Sequence, residues 1–343
     1  MAFENLSQRE KRVLENLIEH YIMTADPVGS RIIANKYRMG LSPATIRNTM
    51  QDLEEMGLIT QPHTSAGRVP TDIGYRVFVD MLLSPEALSQ AEKTKIRNII
   101  SEKSRGGIDA ILGQTSKVLG EITNQLGISA SPRFDEGVLT RIELIPVSDD
   151  KILVVVAVKS GLIRTILMEA ESQIDTAELV LMEQVLNERL SGLKLGQIRK
   201  TLADRLADTS RSPRLIKLFI DPEADIWVDE EATGLHITGT DNLIIQPEFA
   251  DRVKLTDLVK LLEEKKALRD LLEANVGEGI VITIGSENPL DEIRSCSLVT
   301  SKYRAGRVTG TIGIIGPTRM PYSKLVSIVE YTAKSLTDAL SEM

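Results

Sequence analysis

The sequence predicts a multidomain α+β protein with a winged helix-turn-helix at its N-terminal end, and three observations carry that expectation. At 343 residues the chain exceeds what one compact core usually takes, so two or three domains are expected. Its first 83 residues place apolar side chains three and four apart between capping residues and glycines, the pattern of short amphipathic helices. Two groups of β-rich runs follow, one at 138–168 and one near the C-terminal end, with helical pattern between them.

The N-terminal elements can be justified one at a time. Ser7 followed by Glu10 is a capping box, so a helix starts there. Val13, Leu14, Leu17, Ile18, Tyr21 and Ile22 form its apolar stripe, with Arg12, Glu15 and Glu19 behind. Asp26 and Pro27 break it, and Ser30 is expected to cap a short second helix over Arg31 to Tyr37, punctuated by Gly40. Ser42 then precedes Pro43, a cap followed by the residue whose missing amide costs nothing at the first helical position. A third helix is expected from Pro43 to Glu55, with Ile46, Met50 and Leu53 inward and Gly57 as its stop. Ala44, Thr45, Arg47, Asn48 and Gln51 then lie on the outer face. Two short helices joined by a glycine-containing turn, the second with a polar, amide-rich face, make a helix-turn-helix. Leu58, Ile59 and Thr60 read as a strand, and Gln61 to Pro70 as the wing loop, with Gly67 and Arg68 inside it.

Charge narrows what this region does. With 41 basic and 49 acidic residues and a net charge of -8, the chain cannot hold nucleic acid through bulk positive charge. Residues 27 to 51, however, carry Arg31, Lys36, Arg38 and Arg47 and no acid. Such a placed cationic surface fits duplex DNA, although spacing alone also admits a helical domain whose loop is only a surface loop. One cysteine, Cys296, rules out an internal disulfide framework and points to a reducing compartment. Three scattered histidines, His20, His63 and His236, cannot supply a dense His/Cys site, so no metal is expected. No apolar run of about 18 residues occurs and the start MAFENLSQREKR lacks the apolar stretch of a signal peptide, so a cytoplasmic location without membrane contact is expected.

Positions 42 to 76, SPATIRNTMQDLEEMGLITQPHTSAGRVPTDIGYR, resemble the signature of the heat-inducible transcription repressor family HrcA. The resemblance lies in the SxATIRN helix, the LEExGxI turn and the HTSAGRxPTxxGYR wing, and its layout extends over essentially the whole chain. It implies a repressor of heat-shock (chaperone) operons that binds double-stranded DNA at an inverted-repeat operator as a homodimer, its activity maintained by the GroE chaperonin. By the same resemblance the recognition helix carries Thr45, Arg47, Asn48 and Gln51, and the wing carries His63, Thr64, Ser65, Gly67 and Arg68. Arg31 and Lys36 complete the expected DNA-binding set. Side-chain chemistry supplies the roles: arginine for guanine, asparagine and glutamine for adenine, serine and threonine for phosphate or a thymine methyl. For Gly67 turn geometry is the stronger reading, and His63 serves equally well as a wing-packing residue.

Beyond the wing, Ile73, Val77, Phe78, Val79, Met81 and Leu82 predict a helix over 72–83, closed by Ser84 and Pro85. Residues 86–126 read as helical, interrupted around Arg105, Gly106 and Gly107. VLTRIELIPV, KILVVVAV and LIRTILM read as an antiparallel meander, and GIVITIG, SCSLVTSKY and VTGTIGIIG as a matching set closed by a helix from Tyr322 to about Leu340. The two sets are expected to complete one sheet. Between them, helices at 177–190 and 195–206 and strand-like pieces around 235–245 read as an insertion, with a leucine-rich helix at 254–273 leading back. The expected domains are therefore a winged helix over 1–83, a sheet domain built from 84–171 and 252–343, and an insertion over 172–251. The family resemblance names the sheet domain GAF-like and the insertion, mainly helical and α+β, the dimerising part.

Other function classes fare poorly. A GAF-like sheet makes a small-molecule sensor the alternative, yet Cys296 sits in a strand-like run better read as core, and aromatics are 3% of the chain, leaving few rings to stack on a ligand. Gly310, Gly313 and Gly316 lie in a β run without the lysine and hydroxyl residue of a phosphate loop, so close packing accounts for them better. No G-x-S-x-G, H-E-x-x-H or paired Cys-x-x-Cys occurs, so no enzyme activity and no cofactor are expected. The acid-rich run Asp221 to Glu231 lacks calcium-loop spacing, and its Trp227 reads equally as an interface anchor or a packing residue.

Overall fold

Ser7 opens the first helix as its spacing to Glu10 predicts. Its hydroxyl accepts the Glu10 amide at 3.2 Å and the Glu10 carboxylate accepts the Ser7 amide at 2.6 Å. In the computed structural model, which describes residues 6–64, 66–102, 107–159, 161–170, 175–207, 213–220, 226–227, 234–274, 277, 279–306 and 308–341, this helix is α1 (Gln8–Thr24). Val13, Leu14, Leu17 and Ile18 are buried on it, the stripe read from spacing. Helix α2 (Ser30–Lys36) follows, then α3 (Pro43–Glu55) with Ser42 accepting the Thr45 amide at 3.1 Å. One cap differs from expectation: Gly29 is the N-cap of α2, and Ser30 is buried inside the helix. Ile46, Thr49, Met50 and Leu53 are the buried side of α3.

Strands β1 (Ile59–Thr60) and β2 (Val69–Pro70) pair antiparallel around the wing. Helix α4 (Asp72–Val77) leaves the wing and continues as a π-helical turn over Phe78–Leu82. The order after it is α5 (Gln90–Glu102), α6 (Gly107–Thr123), β3 (Leu126–Ala130), β4 (Leu139–Pro146), β5 (Lys151–Val158), β6 (Ile163–Glu169), α7 (Thr176–Leu190), α8 (Leu195–Leu206) and α9 (Pro213–Ile220). The remainder is β7 (Leu235–Thr238), α10 (Thr240–Ile244), α11 (Arg252–Glu263), α12 (Lys265–Ala274), β8 (Ile280–Ile284), β9 (Cys296–Ala305), β10 (Val308–Pro317) and α13 (Tyr322–Ser341).

The two strand groups do not complete one sheet. Strands β4, β5 and β6 form a separate three-stranded antiparallel meander, while the second sheet runs β7-β3-β10-β9-β8, also antiparallel. The alternation Ile152, Val154, Val156, Val158 inward on β5 fixes which face is buried but not which strands pair. That face lies in a core with Leu179, Leu186, Ile198, Leu202, Phe219 and Trp227, so Trp227 is a packing residue, 5% exposed. The acid-rich run on either side of Ile226 and Trp227, and the interruption at Arg105 and Gly106, lie outside the described residues.

The five-stranded sheet is covered on both faces. Val299, Tyr303, Ile312 and Ile314 share a core with α5, α6, α13 and the N-terminal helices, while Leu298 and Ile315 pack with α11 and α12. The winged helix is thus joined to the body through continuous apolar packing. Polar ties reinforce the seam: Arg76 donates to Glu287 Oε1 at 2.7 Å and to the Ile282 carbonyl at 2.6 Å, Asp72 accepts the Ser286 amide at 2.8 Å, and Arg319 donates to the Ile22 carbonyl at 2.8 Å while paired with Glu248.

Candidate nucleic-acid interface

The Ser42–Pro43 start fixes the position of everything on α3, because the cap and the proline together determine where the first turn begins. From that start Ala44, Arg47, Asn48 and Gln51 emerge exposed, while Ile46, Met50 and Leu53 face the core. Thr45 is only partly exposed, and its hydroxyl lies 2.9 Å from Ser42 Oγ, so it belongs to the cap as much as to the face. Gln51 donates to Glu55 at 3.2 Å. The acids Asp52, Glu54 and Glu55 gather at the C-terminal end of the helix, leaving the basic and amide groups toward its start.

Arg31 and Lys36 are exposed on α2. The Lys36 ammonium lies 3.3 Å from His20 Nδ1 and 5.9 Å from the centre of the Tyr37 ring, so it is held against the α1–α2 seam. Burial first, and the Lys36 charge second, push the His20 imidazole below its ordinary range, which favours the neutral ring that can accept from lysine.

The wing leaves β1 (Ile59–Thr60) and returns through β2 (Val69–Pro70). Arg68 sits at its base: its amide donates to the Val28 carbonyl at 2.9 Å and its carbonyl accepts the Val28 amide at 2.8 Å. Its guanidinium donates to Glu54 through Nε at 2.9 Å and pairs through Nη2 at 2.7 Å. Gly67 lies so close to this bridge that an added Cβ would stand 2.5 Å from the Val28 carbonyl carbon. Its place is therefore set by close backbone approach. His63 and Thr64 are exposed beyond the base, where Gln61 Nε2 donates to the carbonyls of Thr64 and Ala66 at 3.0 and 2.9 Å and gives the loop its shape. Ser65 lies outside the described residues.

A capped helix with an exposed Arg-Asn-Gln face, beside a loop pinned to its C-terminal end, is a shape that can enter a major groove while the wing meets the backbone. Residues 5–81 match the family model for the winged helix-turn-helix transcription repressor, HrcA DNA-binding, and residues 109–326 match that for the HrcA protein C terminal domain. The chain belongs to the HrcA family of heat-inducible transcription repressors. HrcA relatives in Chlorobium phaeobacteroides and Geobacter sulfurreducens are both 38% identical, covering 99% and 98% of this chain and 100% and 98% of their own. A crystal structure of a hypothetical protein shares the fold with a TM-score of 0.64 at 22% identity, covering 98% of this chain and 99% of that one.

Two residues of this candidate interface escaped sequence reasoning. Glu54 reads as one more acid on a helix surface, and Gln61 as the first residue of a loop. The only signal was their place in the LEExG and QPHTSAGR stretches. The body offers less: a cleft of about 280 Å³ lies between Gly113, Ser116, His236, Thr238 and Lys265, just under the size of typical small-molecule pockets, roughly 300–1,000 Å³. Cys296 is fully buried, and burial pushes its thiol up to about 12, so it is a core residue here and unreactive as a nucleophile. Gly313 likewise packs closely, an added Cβ standing 2.5 Å from the Val299 carbonyl oxygen.

Proposed function

We propose that this DNA-binding repressor of heat-shock genes reads an inverted-repeat operator as a homodimer, placing α3 of each copy in a major groove. The observation that carries the reading is the exposed face of α3, where Arg47, Asn48 and Gln51 stand free of the core in a stretch, 27 to 51, that contains no acid. Arg47 is the guanine reader, Asn48 and Gln51 the adenine readers, and Arg31, Lys36, Thr45, His63, Thr64, Ser65 and Arg68 meet phosphate or sugar. Gly67 serves by letting the wing base close on Val28.

A single winged helix gains little specificity, whereas two in a fixed two-fold relation read a palindrome with summed energies. The outer face of the three-stranded sheet supports the dimer: Ile145, Leu153 and Leu167 align across its strands, and Ile145, Ile163 and Leu167 are 44, 66 and 57% exposed, an apolar face of the kind that marks protein contacts. The dimerising unit is then the segment of about 131–234 with its own core, rather than 172–251, and the five-stranded sheet with its helices is the GAF-like part. Among the described residues no helix is long and apolar enough to cross a membrane, which fits a cytoplasmic repressor. Its activity is maintained by the GroE chaperonin, as the family resemblance implies. A titration of the full chain against an inverted-repeat duplex and a scrambled duplex tests the reading: tight, salt-dependent binding to the first alone is expected, and equal binding to both would overturn it.

A further inference from the structure

Glu54 stands seven residues after Arg47 and three after Gln51, so all three share one side of α3. Its carboxylate holds the guanidinium of Arg68 through two contacts of 2.9 and 2.7 Å to a single oxygen, Oε2. The two side chains are 31% and 21% exposed, open enough to solvent for screening to keep the pair's contribution to folding modest. The Arg68 backbone, meanwhile, is already fixed by its two-way bridge to Val28. What the ion pair fixes is therefore the direction of the guanidinium, at the junction of recognition helix and wing. Arginine carries five N–H donors in a rigid fork, so a carboxylate that takes one edge leaves the donors of the other edge uncommitted.

We propose that Glu54 is a positioning residue for DNA discrimination: it holds the Arg68 fork in one orientation toward the DNA and cancels its charge toward phosphates at large. The inference rests on the DNA reading of α3. A free Arg68 would grip any duplex through one more phosphate, raising indiscriminate affinity, while the oriented fork rewards only the operator geometry.

The test titrates wild type, Glu54→Gln, Arg68→Ala and the double variant against inverted-repeat and scrambled duplexes at several salt concentrations, with thermal melts to show that each folds. Glu54→Gln is expected to bind scrambled DNA more tightly, with a lower operator-to-scrambled ratio. Its salt slope steepens by about 0.9, so a fourfold rise in salt weakens it about 3.5-fold more than wild type. In the Arg68→Ala background the same change has no effect. Should Glu54→Gln not fold, Arg68→Lys, which keeps the charge but not the fork, is expected to lower the ratio. If wild type discriminates but Glu54→Gln, or in its place Arg68→Lys, keeps its ratio, or if the Glu54→Gln effect persists without Arg68, the role of Glu54 is overturned and the DNA reading stands. If wild type itself fails to discriminate, the reading beneath it falls instead.

Discussion

Replacing Gly67 with alanine would put a methyl group 2.5 Å from the Val28 carbonyl carbon, 2.6 Å from its oxygen and 2.7 Å from the Pro27 carbonyl carbon. All three are backbone atoms that cannot swing aside, so the wing base must lift from the loop before α2. The bonds lost are the Val28 amide to the Arg68 carbonyl at 2.8 Å and the Arg68 amide to the Val28 carbonyl at 2.9 Å. At about 0.5–1.5 kcal/mol net for each, the bridge is worth about 1–3 kcal/mol. Amide exchange reads this directly, since about 1.4 kcal/mol is a factor of ten in an equilibrium. Protection of the Val28 and Arg68 amides is expected to fall by about 5- to 150-fold, while the amides of Ile46 and Met50 on α3 keep theirs. Operator affinity falls with it, because the wing loses its seat. Unchanged exchange at Val28 and Arg68 in a variant that no longer binds operator would refute this reasoning and make Gly67 a point of contact with DNA.

Three further outcomes follow from the same geometry. Arg47→Ala is expected to lose about 1–3 kcal/mol of operator binding and to relax discrimination at one base pair, whereas Lys36→Ala weakens all DNA alike and lowers the salt slope by about one; titration of both at several salt concentrations separates them. Leu167→Glu places a charge on the exposed face of β6, and sedimentation is expected to show the dimer dissociating to monomer with the melt of each copy retained. The Lys324 side chain, with the Ser89 hydroxyl and amide, holds the Glu92 carboxyl down at about 2 against an ordinary 4.5. A depressed carboxylate contributes stability above its unfolded value and loses it as pH falls, so the tie between α5 and α13 weakens from about pH 4.5 toward pH 2. Glu92→Gln is expected to flatten that portion of an acid melt, and an unaltered acid profile would count against the tie.

The winged helix was legible because its determinants are local. Ser7 with Glu10, and Ser42 with Pro43, set helix starts within a few residues, and α3 runs from Pro43 to Glu55 as its cap and stop predict. Longer-range facts left no such mark. Strand β3, which sits between β7 and β10, has all five residues buried, so Leu126 continued the apolar stripe of Leu119 and Ile122 with no alternation to announce a strand. The expected helix over 254–273 divides at Glu264, which takes φ -84° and ψ 67° between α11 and α12. Partner choice among strands was also invisible, since alternation on β5 reports a buried face and not a neighbour. At the interface, the sequence shows the charge of Arg68 but not that its backbone closes on Val28 or that its fork lies on Glu54.

The claim on which the account turns is that the outer face of α3 and the loop beyond Gln61 meet DNA. A photocrosslinking side chain placed in the full-length chain at Asn48, at Thr64 or, as a control, at the exposed Val180 of α7 tests it against an inverted-repeat duplex. The account predicts adducts from positions 48 and 64, competed away by unlabelled operator, and none from 180. Adducts from 180 with none from 48 and 64 would contradict it.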